Sequence, residues 1–315
     1  MKPLTPPRRP LLKWAGGKRQ LLAVFQHFYP ERVSGYVEPF VGSGAVFFDL
    51  LRRGGLGDAS VTLADSNADL IGTYATVRDA PGEVIATLEH LDQRHAREGA
   101  ACYYDVRDRF NAARAGGSVP QGSRYSPELA AMLIYLNRTG FNGLFRVNAG
   151  GAFNVPAGRY ARPRICDPAL VRAVASAFAR EGLRLQCATF DRVLAHTSAG
   201  DFVYLDPPYA PLSTTSAFGA YTADRFSPSD QVRLCDTVVD LARRGRHILL
   251  SNSSAPEIVA LYRQAARAGD ARLRLWGVPA RRAINSRAAG RGVVTELLLT
   301  NLEPRGTAEG LAEIV

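Results

Sequence analysis

An acid, two prolines and an aromatic residue follow a hydrophobic run, and together they form the part of this sequence best suited to chemistry. Residues 201–205 read D-F-V-Y-L, which predicts a buried strand, and Asp206, Pro207, Pro208 and Tyr209 come directly after it. Because proline fixes its backbone φ angle, two consecutive prolines predict a rigid, extended turn. The sequence therefore predicts a carboxylate, a backbone carbonyl and a flat ring held in fixed positions at the end of a strand.

These groups suit the methylation of an amino group on a nucleobase. The nitrogen of such a group is a poor nucleophile because its lone pair is delocalised into the ring. The Asp206 carboxylate and the Pro207 carbonyl can accept both amino hydrogens, which favours a pyramidal nitrogen whose lone pair points at a methyl sulfonium. Pro208 would stiffen the turn, and the Tyr209 ring offers a face on which an extruded base can stack. The alternative is a structural strand exit with a packing tyrosine.

A second candidate site is a glycine loop between a predicted strand and a predicted helix. Residues 36–48 read Y-V-E-P-F-V-G-S-G-A-V-F-F, and Gly42 and Gly44 would let the backbone approach a ligand at a helix N-terminus. A pyrophosphate-binding loop has a third glycine where this sequence has Phe47, which argues against a dinucleotide-dependent dehydrogenase. An adenosine ligand without a pyrophosphate, such as S-adenosylmethionine, fits better. A tight turn with a purely structural role is the alternative.

Two further segments could complete a ligand site. Asp65 ends the next predicted strand, where doubly wound folds place the acid that binds ribose hydroxyls, but it could equally cap the following helix. Residues 12–18 read L-K-W-A-G-G-K and combine an indole ring, two glycines and two lysines. They could bind a ligand or lead into a helix behind a buried Trp. Physical chemistry alone leaves both questions open.

The elements that must position these residues alternate between strands and helices. Strands are predicted at residues 35–40, 60–64, 201–205, 247–250, 273–278 and 293–300, and helices at 45–51, 69–78, 229–243 and 256–266. This alternation predicts an α/β domain with a mainly parallel sheet, whose ligands bind at the carboxyl ends of the strands. From about residue 80 to 185 the patterns are helical, at 83–94, 103–113 and 127–135, and predict an inserted lobe. Loosely held ends are predicted before residue 11 and after residue 301.

Composition limits the class of protein. The chain has 315 residues, 46% of them apolar, which suffices for a large core and excludes a disordered or fibrous chain. A net charge of +10 favours nucleic acid as the partner, although a solvated basic surface would give the same charge. The sequence contains neither a membrane-spanning apolar run nor a signal peptide pattern, and its cysteines are too dispersed for a zinc site. We expect a cytoplasmic, nucleoid-associated monomer that binds no metal.

In combination these segments resemble the Dam family of DNA adenine methyltransferases, from about residue 11 to residue 301. The motifs that carry the resemblance are L-K-W-A-G-G-K, V-E-P-F-V-G-S-G, A-D-S-N, Y-L-N-R-T-G-F-N-G-L-F-R-V-N, F-N-V-P-A-G-R-Y, D-P-P-Y, Y-A-P-L-S and S-N-S-S. The resemblance implies a Rossmann-like α/β methyltransferase sheet, mostly parallel with one antiparallel edge strand, and an inserted, mainly helical target-recognition domain. The implied division is a catalytic domain at residues 1–67 and 167–301, the inserted domain at 68–166, and a tail at 302–315.

The resemblance also assigns residues to the cofactor and to double-stranded DNA. S-adenosylmethionine would be bound by Trp14, Gly16, Gly17, Lys18, Glu38, Pro39, Phe40, Gly42, Ser43, Gly44, Asp65, Phe190 and Asp206. A GATC site and its backbone would be contacted by Lys13, Arg138, Phe141, Asn142, Leu144, Arg146, Pro156, Arg159 and Tyr160. Phe141 stands where the family usually has Tyr, and its ring would wedge into the stack beside the extruded adenine.

One segment departs from the family pattern, and other functions stay open. Residues 187–191 read C-A-T-F-D, with Thr189 in place of the family's acid and Asp191 displaced beyond Phe190. The alternatives are methylation of adenine in RNA, methylation of the 4-amino group of cytosine, and a DNA-binding relative without activity. Asp206 favours adenine, because the cytosine enzymes more typically have Ser before P-P-Y. The intact motifs argue against an inactive relative.

Overall fold

An eight-stranded sheet forms the centre of the part of the protein that the structure describes. The computed structural model describes residues 6–7, 9–14, 16–115, 125–209, 226–281, 293–306 and 311–314. The strands are β1 (Gly35–Glu38), β2 (Ser60–Asp65), β3 (Leu183–Cys187), β4 (Phe202–Leu205), β5 (His247–Ser253), β6 (Arg274–Arg281), β7 (Val293–Thr300) and β8 (Ala312–Glu313). Their order in the sheet is β3-β2-β1-β4-β5-β7-β6-β8.

The sheet is parallel from β3 to β5 and antiparallel at its other edge. β1 pairs in parallel with β2 and β4, and β5 continues the parallel part beside β4. β7 runs antiparallel to β5, and the pairs β6–β7 and β6–β8 are also antiparallel. The prediction of a mostly parallel sheet with an antiparallel edge is confirmed.

Helices cover both faces of the sheet. They are α1 (Leu22–Phe25), α2 (Ala45–Arg52), α3 (Ala68–Asp79), α4 (Pro81–Glu98), α5 (Ala100–Ala115), α6 (Pro127–Thr139), α7 (Pro168–Phe178), α8 (Phe190–Leu194), α9 (Pro228–Arg243) and α10 (Pro256–Arg267). Several begin with proline, whose missing N–H costs nothing in the first turn. In α9, Ser227 and Asp230 form a capping box, because each side chain binds the other residue's backbone N–H.

The alternating side chains of the central strands build two separate hydrophobic clusters. Tyr204 points into a cluster with the N-terminal segment and helices α2 to α7, whereas Val203 and Leu205 point into a cluster with α8, α9 and α10. Successive side chains of a strand face opposite sides, so a buried strand must be apolar on both. This explains why β4 reads as an uninterrupted apolar run, with all four residues buried.

The inserted segment is helical, and α4, α5 and α6 pack against one another. Helix α3 contacts both β3 and α6, so it connects this group of helices to the sheet. None of the helices in the described ranges is both long enough and apolar enough to cross a membrane.

Two strands were not predicted from the sequence. β3 has the sequence L-R-L-Q-C and only half-buried apolar residues, because it lies at the edge and pairs only with β2. The prediction of a loosely held end after residue 301 is wrong for Ala312–Glu313, which pairs with β6 as β8. Beside it, the Ile314 N–H donates to the Leu275 carbonyl at 2.8 Å. These backbone bonds depend on tertiary position and leave no periodic pattern in the sequence.

Candidate active site and DNA interface

A cavity of about 560 Å³ opens where the strand order reverses, beyond the carboxyl ends of β1 and β4. In doubly wound sheets the chain leaves neighbouring strands in opposite directions at this point, and the crevice between them binds ligands. Of the residues predicted to bind the cofactor, all line this cavity except Gly44, which caps α2. Pro207, Pro208 and Tyr209 line the same cavity. The fold thus brings the glycine loop, the acid after β2 and the D-P-P-Y turn together.

The glycine loop owes its shape to two left-handed residues. Gly42 has a φ of 46° and Gly44 a φ of 69°, a region that side chains disfavour. A Cβ on Gly42 would lie only 2.9 Å from Cδ1 of Trp14, so the indole ring packs directly on the loop backbone. The Tyr74 hydroxyl donates to the Gly42 carbonyl at 2.7 Å and fixes the loop from the opposite side.

Asp65 organises the floor of the cavity. Its Oδ2 accepts the Gly42 N–H at 3.1 Å, and its Oδ1 accepts the Asn67 N–H at 3.0 Å. The alternative that Asp65 caps α3 is wrong, because Asn67 is the cap and accepts the Leu70 N–H. Burial raises the pKa of Asp65 to about 6, against the lowering by these two bonds. Each oxygen accepts one backbone bond and keeps a lone pair for a ligand hydroxyl.

Asp206 lies at the end of β4 with a lysine and a serine on one of its oxygens. The Lys18 Nζ is 3.0 Å from Oδ1, and the Ser251 hydroxyl donates to the same atom at 3.1 Å. Tyr204 in turn shares a hydrogen bond of 3.0 Å with Ser251. Burial raises the pKa of Asp206 to about 6, although Lys18 and Ser251 favour the carboxylate. The described contacts of the carboxylate are to Oδ1.

The ring of Tyr209 is fixed by groups on both sides of the turn. Its hydroxyl donates to Oε2 of Glu296 at 2.6 Å, and the Lys18 Nζ lies 4.4 Å from the ring centroid. Lys18 is buried to 5% exposure, and it also donates to the Gly16 carbonyl at 2.6 Å. Burial raises the pKa of Tyr209 well above its ordinary value, so the hydroxyl stays protonated and remains a donor.

Two buried amide side chains, Gln231 of α9 and Asn252 of β5, form a polar bridge to the D-P-P-Y turn. The Gln231 side chain donates to the Pro208 carbonyl at 3.1 Å, and its own oxygen accepts from Asn252 at 3.0 Å. Both Gln231 and Asn252 are buried. Because a buried amide must keep its hydrogen bonds, this bridge fixes the position of the turn relative to β5.

Glu38 is a buried acid at the end of β1. It accepts a hydrogen bond of 2.8 Å from the Tyr36 hydroxyl. Burial raises the pKa of Glu38 to about 8, and the neighbouring Asp206 and Asp65 raise it further against the effect of Tyr36. The acid is therefore largely neutral at neutral pH, and a cation bound in the cavity would favour its ionised form.

An aromatic cluster closes the far end of the cavity. Phe40, Phe190 and Phe226 lie with ring centroids 5.7 to 5.8 Å apart. Arg233 lies over the Phe190 ring at 5.2 Å and pairs with Asp191 at 3.1 Å. Asp191, the displaced acid of the C-A-T-F-D segment, is thus paired with Arg233, whereas Thr189 lines the cavity.

The residues predicted to contact DNA lie at the end of α6, on two neighbouring loops and on the N-terminal segment. The Lys13 Nζ is 4.7 Å from the Tyr160 ring centroid, and the Phe141 N–H donates to the Pro156 carbonyl at 2.9 Å. Asn142 and Pro156 are also exposed, and Leu144 is half-buried. Phe141 is 49% exposed although it is a large apolar ring. An exposed ring among basic residues is typical of a nucleic-acid surface.

The predicted arginines differ in their surroundings. The Arg146 Nε donates to the Asn154 side chain at 2.8 Å, which leaves one edge of the guanidinium open. Arg159 is exposed. Arg138 instead turns inward and donates to the Leu11 carbonyl, so burial lowers its pKa to about 10.

Sequence reasoning missed several residues of the site. These are Ser251, Gln231, Phe226 and Glu296. Ser251 lies in the S-N-S-S motif, which supports the family resemblance but was given no function in the prediction. Gln231 and Glu296 stand alone within helix and strand patterns, and only the fold brings them to the turn. Residues 210–213 of the Y-A-P-L-S motif lie outside the described residues.

Comparison with known proteins agrees with this geometry. Residues 14–273 match the family described as D12 class N6 adenine-specific DNA methyltransferase. The chain is 37% identical to the Type II methyltransferase M1.LlaDCHI of Lactococcus lactis subsp. cremoris, over 93% of this chain and 95% of the relative. It is 35% identical to the DNA adenine methylase of Vibrio cholerae and 34% identical to that of Escherichia coli K12, each over 92% of this chain and 94% or more of the relative.

These matches cover the glycine loop, the inserted segment and the D-P-P-Y turn. The resemblance to the Dam family is confirmed. The chain belongs to the D12 class of N6 adenine-specific DNA methyltransferases and is an enzyme that methylates adenine in DNA.

Proposed function

We propose that this enzyme transfers the methyl group of S-adenosylmethionine to the 6-amino nitrogen of an adenine extruded from duplex DNA, within the sequence GATC. The observation that carries the proposal is the single cavity in which the glycine loop meets the D-P-P-Y turn. A methyl donor on the loop and an amino group on Asp206 would then lie side by side, as a direct transfer requires.

The chemistry of the cavity fits a cationic adenosine ligand. Its volume of about 560 Å³ is in the range of small-molecule sites, which span about 300 to 1,000 Å³. Glu38, Asp65 and Asp206 line it, and carboxylates favour a sulfonium and an ammonium group. Phe40 and Phe190 at the far end provide an apolar surface for an adenine ring.

In the proposed mechanism Asp206 and Pro207 position the target nitrogen. Bound S-adenosylmethionine supplies an electrophilic methyl group on a positively charged sulfur. The Oδ2 atom of Asp206 and the Pro207 carbonyl accept the two amino hydrogens, which directs the nitrogen lone pair out of the ring plane. Formation of the nitrogen–carbon bond would break the bond between the methyl group and the sulfur, which would leave as a neutral thioether. The nitrogen would become cationic and release one proton to Asp206 or to water. A pKa of about 6 keeps Asp206 largely ionised at neutral pH before the transfer.

The exposed loops would select the adenine. In this proposal the open edge of Arg146 binds a guanine edge in the major groove, and Lys13, Leu144, Pro156 and Tyr160 contact neighbouring bases. Arg138 and Arg159 would lie near the DNA backbone or base edges, and Asn142 would contact the DNA beside Phe141. Phe141 fills the space left by the extruded base. The GATC sequence itself follows from the resemblance to the Dam family.

We also propose the division of labour between the two parts of the chain. Residues 68–166 would recognise the DNA, and residues 1–67 and 167–301 would bind the cofactor and catalyse the transfer. Residues 302–315 would form a C-terminal tail, of which Ala312–Glu313 is held to the sheet as β8. The packing of α4, α5 and α6 against one another supports a separate recognition unit. The first helix of residues 68–166, α3, also contacts β3 of the sheet.

The test uses purified full-length protein, S-adenosylmethionine with a labelled methyl group, and unmethylated duplexes that differ only in their target. We expect label in N6-methyladenine from a GATC duplex, with at least about a thousandfold loss for Asp206→Ala. Duplexes with one base pair of GATC changed give the sequence requirement. Equal labelling of all duplexes would overturn the GATC assignment, and equal activity of Asp206→Ala would overturn the mechanism.

A further inference from the structure

A second carboxylate faces the D-P-P-Y turn from the antiparallel part of the sheet. Oε2 of Glu296, on β7, accepts the Tyr209 hydroxyl at 2.6 Å and lies 3.9 Å from the Lys18 Nζ. The side chain of Glu296 is only 19% exposed, and Lys18 is buried. A carboxylate in such a position needs partners, and among the described residues the Tyr209 hydroxyl and the Lys18 ammonium supply them.

The position of Glu296 follows from strand register. Glu296 pairs with Ser253 of β5 in the antiparallel ladder, and Ser251 pairs with Leu298. Residues two apart on a strand point to the same face, so Glu296 and Ser251 lie on the face that carries Tyr204. Ser251 reaches Asp206 on this face, and Glu296 reaches Tyr209.

Lys18 connects the two acids. Its ammonium lies 3.0 Å from Asp206, 3.9 Å from Glu296 and 4.4 Å from the centre of the Tyr209 ring. An ammonium on one face of the ring leaves the opposite face for a base to stack on. With Glu296 absent, Tyr209 would lose its hydroxyl acceptor, and Lys18 would keep Asp206 as its charged partner among the residues that the structure describes.

We propose that Glu296 is a positioning residue for methyl transfer, which holds the Tyr209 ring in its stacking orientation and shares the Lys18 ammonium with Asp206. It acts through Tyr209 and Lys18 without touching the substrate. This inference rests on the proposed function, since it assumes that the adenine stacks on Tyr209.

The test compares Glu296→Met, Tyr209→Phe and the double variant in single-turnover methylation with saturating DNA and cofactor. Glu296→Met keeps the length of the side chain and removes the oxygen that accepts from Tyr209, and we expect its rate constant to fall at least about tenfold, since small misplacements have large effects on rate. The affinities for DNA and cofactor should stay within about twofold. Because both substitutions break the same hydrogen bond, the double variant should be within about twofold of Glu296→Met.

The pH profile separates positioning from a structural role. Asp206 is faced by Lys18, Glu296, Ser251, Tyr204 and Glu38, and the charge of Glu296 raises the pKa of Asp206. Removing that charge should move the acid limb of the rate profile to lower pH. Glu303→Gln is the control, because this acid is 72% exposed and pairs with Arg274 far from the cavity.

Each outcome decides a part of the proposal. Unchanged rates in Glu296→Met, or losses that multiply in the double variant, would overturn the positioning of Tyr209. An unmoved acid limb would overturn the sharing of Lys18. An inactive wild-type enzyme would instead contradict the proposed function. Thermal unfolding of each variant, with Glu303→Gln as reference, shows that a lost rate does not reflect a lost fold.

Discussion

Trp14 stacks on Phe145 with the ring centroids 5.6 Å apart and the ring planes 24° from parallel. The indole also packs on Gly42, so one side chain contacts both the glycine loop and the loop that carries Arg146. Asn137 strengthens the link, because its side chain binds both backbone groups of Lys13 and the carbonyl of Gly143. The proposed cofactor site and the proposed DNA surface are thus joined through the N-terminal segment.

A methyl group on Gly42 would disturb this contact. In Gly42→Ala the added Cβ would lie 2.9 Å from the indole, whereas Gly57 has nearly the same φ, 45° against 46°, with nothing within 4 Å of its Cβ position. Both variants carry left-handed strain of about 1 to 2 kcal/mol. Only Gly42→Ala adds overpacking, of about 1 to 3 kcal/mol.

We therefore expect Gly42→Ala to bind S-adenosylhomocysteine at least about fivefold more weakly than Gly57→Ala, by titration calorimetry. The left-handed strain should lower the free energy of unfolding by a similar amount in both variants. Equal affinities would mean that the loop adjusts without moving Trp14.

The rate of methyl transfer should fall in acid as Asp206 takes up a proton. The proposed mechanism needs the carboxylate, and burial raises the pKa of this group to about 6, so activity should be lost as the pH falls through about 6. Lys18 lowers that pKa. In Lys18→Met the acid limb should consequently move to higher pH, measured as single-turnover rates from about pH 5 to about pH 9.

Glu296→Gln should move the acid limb to lower pH, opposite to Lys18→Met, because the charge of Glu296 raises the pKa of Asp206. The two variants therefore form a matched pair. Limbs that move together would contradict the assignment of the acid limb to Asp206.

The sequence was sufficient for the parallel strands other than β3 and for the position of Asp206 in the cavity, because a buried strand needs an unbroken apolar run and the D-P-P-Y turn is compact. It was insufficient for Glu296. That residue stands in V-V-T-E-L-L-L-T, where the pattern predicts β7 and marks the acid only as an interruption. Its partner Tyr209 lies more than eighty positions away in the sequence, and the pairing of β7 with β5 brings the two residues together. Such proximity depends on register, which a single sequence encodes only through the complete fold.

Glu38 should make the free energy of unfolding depend on pH. Its pKa is raised from 4.5 to about 8 by burial, so the folded protein holds a proton that the unfolded chain releases. Stability from this group is present below about pH 4.5 and declines as the pH rises to about 8, where both states are ionised. Glu38→Gln lacks this dependence.

The difference in unfolding free energy between Glu38→Gln and the wild type should therefore grow in favour of the variant over this pH range, and then level off. Urea unfolding at a series of pH values measures it. A constant difference would show that Glu38 ionises normally in the folded protein.

Asn154 should influence which base Arg146 selects. The Asn154 side chain accepts from the Arg146 Nε at 2.8 Å, and the Asn154 backbone carbonyl accepts from Nη2 at 3.3 Å. Asn154→Ala removes the shorter of these two bonds and loosens the guanidinium, so discrimination at the guanine proposed to contact Arg146 should fall by about tenfold, part of the about 1 to 3 kcal/mol of a bidentate contact. Asn154→Asp keeps the acceptor and should retain the discrimination.

Competition between GATC and single-change duplexes gives these ratios, and the salt dependence of binding should stay the same in both variants, because no phosphate contact is lost. A changed salt slope would assign Asn154 to the DNA backbone instead.

Phe141 should be needed for base extrusion and dispensable for folding. Its ring is 49% exposed, so Phe141→Ala loses little buried area. Tyr104, on α5, is 41% exposed and lies over Arg107, which makes Tyr104→Ala a matched control. With 2-aminopurine at the target adenine, the wild type and Tyr104→Ala should give the fluorescence rise of an unstacked base, and Phe141→Ala a smaller one. Phe141→Tyr should behave as the wild type, because the ring provides the stacking. Equal fluorescence in Phe141→Ala would mean that the duplex opens without a wedge, and that Tyr209 alone retains the base.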